Sequence, residues 1–213
     1  MRTLTKEVQS ALSPEQAIDI LKKGNNRFVE NLKANRNLLQ QVNDTSAGQF
    51  PFAVILSCID SRTSAELIFD QGLGDIFSVR IAGNIANEDI LGSMEFACKV
   101  AGAKAIVVLG HTKCGAVKGA CDDVKMGNLT TLLEKLKPAL NAETSVTTDR
   151  TAANAEFVEK VASHNVLLTM GKIVKHSPIL KEMIDSKQIA ITGGMYDVET
   201  GVVDFYPAPS VLA

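Results

Sequence analysis

The sequence predicts an α/β fold with a mainly parallel central β-sheet flanked by helices, an N-terminal helical arm and a C-terminal edge hairpin. Three observations predict it. Short apolar runs of strand length alternate with helical patterns along most of the 213 residues, which is the order of elements in parallel α/β proteins. The apolar runs lack polar alternation, as expected of strands that are buried on both faces. A capped helical pattern precedes the first run.

The composition is that of a globular protein and excludes several other classes. Hydrophobic residues make up 46% of the chain and charged residues 22%, so neither disorder nor a fibrous fold is expected. The 22 Lys and Arg against 24 Asp and Glu give no basic footprint of a nucleic-acid binder. No apolar run approaches the roughly 20 residues that span a bilayer, and no signal-peptide pattern is visible. We therefore expect a cytoplasmic protein without nucleic-acid or membrane partners.

The N-terminal arm is predicted to contain a helix from Ser13 to about Lys33. Ser13 can cap this helix, Pro14 suits its first position and Gln16 completes a capping box. Apolar residues then recur at helical spacing: Ala17, Ile18, Leu21, Phe28 and Leu32. The polar stretch 35–48 is predicted to be a connection.

Strands and helices alternate from Phe52 onward. Strands are predicted at 52–58, 76–81, 105–110, 188–196 and 202–206, the last two forming an antiparallel edge hairpin around a turn at 199–201. Helices are predicted at about 64–69, 88–101, 115–124, 129–140, 152–168 and 177–186. The inward residues of the second of these helices should be Ile90, Leu91, Met94, Phe96, Ala97 and Val100. No repeat or Pro-rich linker divides the chain, so a single domain is expected over 1–213, with an arm and connection at 1–48 and an α/β core at 49–213.

Two short polar clusters follow the first and third predicted strands. Cys58, Asp60 and Arg62 come after the first strand, and His111 and Cys114 come after the third. Open α/β sheets collect ligands outside the carboxyl ends of their strands, so the two clusters can meet in space.

The cysteines and the histidine of these clusters form a set of zinc ligands. Cys58, His111 and Cys114 supply two thiolates and one imidazole, which zinc favours in a tetrahedral site. Three protein ligands leave one position open, as in catalytic zinc sites. The chain has four Cys and three His in total, and the remaining ones are expected to be structural: Cys98, Cys121, His164 and His176. Disulfides are not expected in a reducing compartment.

Asp60 and Arg62 can act at the open position. An ionised Asp60 can accept a hydrogen bond from metal-bound hydroxide and orient it, while Arg62 holds the carboxylate through a bidentate pair. If Arg62 released the Asp60 carboxylate, Asp60 could bind the metal at its open position and close the site. The spacing permits both states, so Asp60 is a catalytic candidate and a metal ligand only in a closed site.

These motifs resemble those of the β-class carbonic anhydrases. The likeness runs from about Gln49 to Asp204, and the matching segments are SCIDSR at 57–62, VRIAGN at 79–84, GHTKCGAV at 110–117 and YDVETG at 196–201. The resemblance implies one zinc ion per chain on Cys58, His111 and Cys114, with Asp60 and Arg62 as a catalytic dyad. It implies a lyase that reversibly hydrates carbon dioxide to bicarbonate and a proton, by attack of zinc-bound hydroxide on CO2.

The resemblance also bears on substrate binding and on assembly. Gln49 stands before Cys58 where plant-type members have a glutamine that binds substrate, beside the backbone amide after the second zinc cysteine, here Gly115. Both residues are therefore expected to bind substrate. Family members are dimers or dimer-based higher oligomers whose N-terminal helices embrace the partner. A homodimer would give the apolar stripe of the arm a partner that the domain is not expected to provide.

Three alternative functions remain open. Relatives with this zinc set act on sulfur analogues of CO2, so the chain could instead hydrolyse COS or CS2 at the same site. A non-catalytic bicarbonate or zinc sensor would have Asp60 on the metal, although Arg62 offers Asp60 another partner. A thiol redox protein using Cys58 and Cys114 would lack a C-x-x-C motif and would leave His111 unexplained.

Overall fold

A five-stranded sheet forms the centre of the computed structural model, which describes residues 3–206. The strands are β1 (Ala53–Ser57), β2 (Ile76–Arg80), β3 (Ala105–His111), β4 (Ala190–Tyr196) and β5 (Val203–Phe205), in the order β2-β1-β3-β4-β5. β1 to β4 are parallel, and β5 pairs antiparallel with β4. The predicted α/β fold with its edge hairpin is confirmed.

Helices cover both faces of this sheet. In the described part they are α1 (Lys6–Ala11), α2 (Pro14–Val29), α3 (Leu38–Thr45), α4 (Ala65–Ile68), α5 (Glu88–Glu95), α6 (Gly115–Cys121), α7 (Gly127–Glu134), α8 (Lys137–Ala142), α9 (Ala155–His176) and α10 (Pro178–Asp185), with a short 3-10 turn at Ala82–Asn84. The pattern at 129–140 is divided between α7 and α8, because Pro138 begins a new helix. α9 extends past the predicted end at 168, since Met170 and Ile173 continue its buried stripe. None of the described helices is long and apolar enough to cross a membrane.

The arm helix α2 packs against the sheet of its own chain. Its predicted capping box is present, with the Gln16 N–H donating to Ser13 Oγ and the Ser13 N–H donating to Gln16 Oε1. Ala17 and Leu21 are fully buried in one cluster with residues of β1, β3 and α4. The expectation that this stripe lacks a partner within the domain is therefore wrong.

The polar stretch 35–48, predicted as a connection, contains the helix α3. The Asn37 side chain accepts a hydrogen bond from the Gln40 N–H at 3.0 Å and begins the helix. Gln41 is buried, and its Oε1 accepts a hydrogen bond from the Leu73 N–H at 3.2 Å. The prediction failed because a polar side chain, rather than an apolar stripe, anchors this helix to the core.

The helix predicted at 88–101 changes to π-helical geometry over Phe96–Val100. The Ala101 N–H donates to the Phe96 carbonyl at 2.9 Å, and this wider turn rotates the side chains that follow. Phe96 and Val100 are 53% and 71% exposed, so their predicted inward orientation is wrong, while Cys98 is buried. The other predicted inward residues are buried: Ile90, Leu91, Met94 and Ala97.

Asp70 ties the end of the arm to the core. Its carboxylate accepts hydrogen bonds from Arg27 Nε at 2.6 Å, from Arg36 Nη1 at 2.5 Å and from the Ala34 N–H at 3.1 Å. The Asp70 side chain is only 4% exposed. Burial raises the pKa of Asp70, but the hydrogen bonds from Arg27, Arg36 and Ala34 together lower it by more. The pKa therefore lies below its usual value.

We expect Asp70→Asn to lower the free energy of unfolding by about 3 kcal/mol at neutral pH, because it removes one partner of a buried ion pair. Since the pKa of Asp70 is lower in the folded chain, this contribution is fully present above the unfolded pKa of about 4 and is lost as the pH falls through the folded value. Urea unfolding of both proteins at neutral and acidic pH measures this difference. The exposed Asp19→Asn should cost under about 0.5 kcal/mol. A difference for Asp70→Asn that does not shrink in acid would contradict this account.

Candidate metal centre

The carboxyl ends of β1 and β3 bring Cys58, His111 and Cys114 together. Cys58 follows β1, His111 is the last residue of the neighbouring β3, and Cys114 caps α6. Their ligand atoms all lie within 4.8 Å of one another. Each of the three side chains is at most 4% exposed. The two polar clusters that the sequence places after separate strands thus form one buried site.

His111 presents one ring nitrogen to this site. Its Nδ1 lies 2.9 Å from the Thr112 carbonyl oxygen, which can only accept, so Nδ1 carries a hydrogen and Nε2 is the ring nitrogen available to a metal. Nε2 is buried and has no hydrogen-bond partner within residues 3–206. A buried polar atom without a partner is costly, and a metal ion would supply the partner. The imidazole therefore fits a metal centre.

The two thiols of the site contact each other, and this contact shifts the pKa of both. A hydrogen bond from Cys114 lowers the pKa of Cys58 against the effect of burial, and the Asp60 and Gly83 N–H groups lower it further. The same contact with Cys58, together with burial, raises the pKa of Cys114. Metal ions bind thiolates rather than thiols, so a divalent cation at this site favours the loss of protons from the two sulfurs. Two thiolates and one imidazole fit zinc better than the harder cations.

Arg62 holds Asp60 at the edge of the centre. Arg62 Nε donates to Asp60 Oδ1 at 2.9 Å and Arg62 Nη2 donates to Oδ2 at 2.8 Å, while the Arg62 N–H donates to Oδ1 at 3.0 Å. These hydrogen bonds keep the pKa of Asp60 well below its usual range. The Asp60 carboxylate is not part of the described cluster of candidate metal ligands. Of the two states that the spacing permits, this structure has the one in which Asp60 is paired with Arg62.

Gly115 lies beside the centre, directly after Cys114, as the first residue of α6. It is exposed, and a Cβ added to it would meet open space. Its N–H belongs to the first turn of α6, where amide groups have no partner within the helix. Open space thus lies beside the Gly115 Cα, and the role of this residue in substrate binding stays a prediction.

Gln49 does not lie beside the metal cluster of its own chain. It is exposed and precedes β1, whereas Cys58 follows that strand. Its neighbour Pro51 accepts a hydrogen bond from the buried Gln9 of α1 at 2.7 Å, at the amino end of the sheet. Within one chain Gln49 is therefore separated from the cluster by the length of β1, and its role in substrate binding stays a prediction.

Two residues that the sequence analysis did not select position the loop after β1. Arg80, the last residue of β2, donates from Nε to the Cys58 carbonyl at 3.0 Å and from Nη2 to the Asp60 carbonyl at 2.6 Å. Thr63 Oγ1 donates to the Cys58 carbonyl, also at 3.0 Å. A charged residue at the carboxyl end of a neighbouring strand was the available signal for Arg80. No local pattern marked Thr63.

Comparisons with known proteins agree with this geometry. The family model described as carbonic anhydrase matches residues 53–203. Carbonic anhydrase 2 of Mycobacterium tuberculosis is 36% identical over 197 residues, which cover 89% of this chain and 91% of the relative. The carbonic anhydrase of Mycolicibacterium smegmatis is 35% identical over 199 residues, with coverage of 90% and 93%.

The fold of this chain is also similar to the folds of solved β-carbonic anhydrase structures. One is from a study of two tetrameric β-carbonic anhydrases of Sordaria macrospora, with a TM-score of 0.68 and 25% identity, covering 81% of this chain and 92% of the other. The β-carbonic anhydrase CafA of Aspergillus fumigatus has a TM-score of 0.70 and 25% identity, with coverage of 81% and 83%.

Proposed function

The chain belongs to the β-carbonic anhydrase family and is a carbonic anhydrase, and from this premise we propose that it hydrates CO2 with one zinc ion per chain on Cys58, His111 and Cys114. The single observation that carries the proposal is the meeting of these three buried ligand atoms at two adjacent strand ends. The buried His111 Nε2, which has no hydrogen-bond partner among the residues that the structure describes, supports a metal there.

The neighbouring residues have distinct roles in the proposed reaction. Zinc bound at this centre supplies the Lewis acidity that makes a water molecule a nucleophile near neutral pH. Asp60 accepts a hydrogen bond from the attacking water and orients its lone pair toward the carbon of CO2. Arg62 fixes both oxygens of Asp60, so the carboxylate is already in position before the substrate arrives. The water oxygen bonds to carbon, and the proton that is released passes to the buffer.

The backbone N–H of Gly115 is the proposed substrate contact. Negative charge develops on an oxygen of CO2 during the attack, and a fixed amide donor beside the centre stabilises that charge. Gly115 suits this position because open space lies next to it.

We expect Gly115→Ala to lower kcat/KM about tenfold through KM, because a methyl group displaces the substrate and a shift of about 1 Å can cost up to about 100-fold. Zinc content should not change. Gly92→Ala is the matched control, since a Cβ at this helical glycine in α5 also meets open space. Steady-state CO2 hydration by both variants tests this role. Unchanged kinetics of Gly115→Ala would remove Gly115 from substrate binding.

The assembly and location of the enzyme are further parts of this proposal. We propose a cytoplasmic, single-domain chain that forms a homodimer or a dimer-based oligomer. β2 is one of the two edge strands of the described sheet, and its unpaired edge supports association. The exposed Phe96 and Val100 add apolar surface. Light scattering of the purified protein tests the oligomeric state, and a monomer at all concentrations would contradict it.

Stopped-flow hydration of CO2 by the zinc-loaded protein tests the function itself. A rate no greater than that of buffer at alkaline pH, despite one zinc ion per chain, would overturn the proposal. Turnover of COS and CS2 measured beside that of CO2 decides between the sulfur analogues and CO2. The pairing of Asp60 with Arg62 favours a catalyst over a sensor that is closed by Asp60.

A further inference from the structure

A cavity of about 1020 Å³ lies outside the metal centre, between α8, α9 and the segment after the 3-10 turn. Its walls are mainly apolar and include Ile85, Leu168 and Val174. The volume is that of a small-molecule site, and apolar walls with a few polar groups are typical of such sites. Cys58, His111 and Cys114 do not line the cavity, so the proposed reaction does not account for it.

The charged side chains of the described residues that line this cavity are all basic, and one of them, Lys181, forms an ion pair with Asp185. Lys135, Lys172 and Lys175 line it, and no acidic residue is among its described lining residues. Within residues 3–206, none of these three lysines forms an ion pair. This cluster of cations occurs in a chain whose formal net charge is −2, so it is a local feature rather than a general excess of lysine.

We propose that the cavity binds an amphipathic small-molecule anion. The apolar body of the ligand packs against Ile85, Leu168 and Val174, and its carboxylate, sulfonate or phosphate group lies among the lysines. Apolar burial supplies most of the affinity, and the lysines select the sign of the charge.

One buried side chain connects this cavity with the metal centre. Asn165 lines the cavity, is 4% exposed, and donates from Nδ2 to the Gly83 carbonyl at 2.7 Å. The Gly83 N–H in turn donates to Cys58 Sγ at 3.4 Å. An occupant that shifts Asn165 shifts the Gly83 loop and the environment of Cys58. Ligand and zinc thus affect each other's affinity by the same factor. This coupling rests on the proposed function, whereas anion binding does not.

Titration with the fluorescent anion 8-anilinonaphthalene-1-sulfonate tests the binding. We expect saturable binding that decanoate displaces, while acetate, inorganic phosphate and decyltrimethylammonium do not. Lys172→Glu combined with Lys175→Glu should weaken binding about tenfold or more, because both cations are replaced by anions. Lys6→Glu combined with Lys33→Glu makes the same change of net charge on the arm and should have no effect.

Three results would overturn anion binding: no saturable binding, equal displacement by decyltrimethylammonium, or equal weakening by the arm variant. Light scattering of the Lys172 and Lys175 variant tests whether a second copy of the chain covers the cavity instead. A changed oligomeric state would make this face an interface between copies and would contradict the proposal. Sedimentation with anionic phospholipid vesicles distinguishes a free anion from a lipid headgroup. Co-sedimentation that the Lys172 and Lys175 variant loses would assign the face to a membrane and contradict the proposal.

The coupling is measured without any activity assay. The affinity for decanoate is compared between zinc-loaded and chelator-treated protein, and zinc affinity is compared with and without saturating decanoate. We expect both ratios to differ from one by the same factor. Ratios of one overturn the coupling but leave anion binding intact. Failure to bind zinc would overturn the proposed function and the coupling together, and the fluorescence titration would still decide on the anion.

Discussion

Cys58→Ser is expected to abolish both zinc binding and CO2 hydration. The serine hydroxyl is a much poorer zinc ligand than a thiolate, and its pKa prevents ionisation in this buried site. Changes to residues that merely support a metal ligand cost about 10–100-fold in affinity, so loss of a ligand should cost more than about 100-fold. Metal analysis after dialysis and stopped-flow CO2 hydration measure the two losses in one preparation.

Cys121→Ser is the matched control for this variant. Cys121 lies in α6, the helix that Cys114 caps, but it is not part of the described metal cluster. Burial raises the pKa of its thiol to about 11, so it remains protonated. We expect this control to keep full zinc content and activity. A Cys58→Ser protein that retains one zinc ion per chain would show that the metal is held elsewhere, and retained activity would overturn the proposed mechanism.

Asp60→Asn is expected to lower kcat by about 100- to 10,000-fold while zinc remains bound, which is the usual range for loss of a group that handles a proton in the transition state. The amide has nearly the shape of the carboxylate but carries no charge, and one of its two acceptor oxygens is replaced by an N–H donor. It cannot keep both hydrogen bonds from the Arg62 guanidinium and also accept one from the attacking water. Stopped-flow kinetics and zinc content are the measurements.

Asp123→Asn controls for the removal of one surface carboxylate, since Asp123 forms an exposed ion pair with Lys125. It should leave kcat unchanged. Zinc X-ray absorption adds a structural readout, because both proteins should show two sulfur ligands and one nitrogen ligand. Full activity of Asp60→Asn would exclude Asp60 from the reaction. A carboxylate ligand in the wild-type spectrum at neutral pH would instead support the closed site of a sensor.

Much of the fold followed from local patterns. Buried parallel strands such as β1 and β3 are continuous apolar runs, and the capping box at Ser13 marks a helix start with few alternatives. Patterns failed where one polar contact or one irregular turn decided the structure. Gln41 anchors α3 by accepting a hydrogen bond from the Leu73 N–H, and the π-helical turn shifts the helical register of the residues after Phe96. Neither feature leaves a periodic signal in the sequence.

The sequence by itself identified the three residues that form the candidate metal cluster. Cys58 ends one apolar run and His111 ends another, and parallel strands place their carboxyl ends at the same edge of a sheet. Local sequence patterns were therefore enough to predict that these residues meet. The side-chain types favour zinc, because thiolate and imidazole are its preferred donors.

Only the tertiary structure decided how this centre is supported. The pairing of Asp60 with Arg62, the free Nε2 of His111 and the contact from Asn165 through Gly83 to Cys58 each depend on backbone angles or on residues distant in sequence. Local periodicity reports which face of an element is buried, whereas contacts between loops and helices arise only when the elements pack.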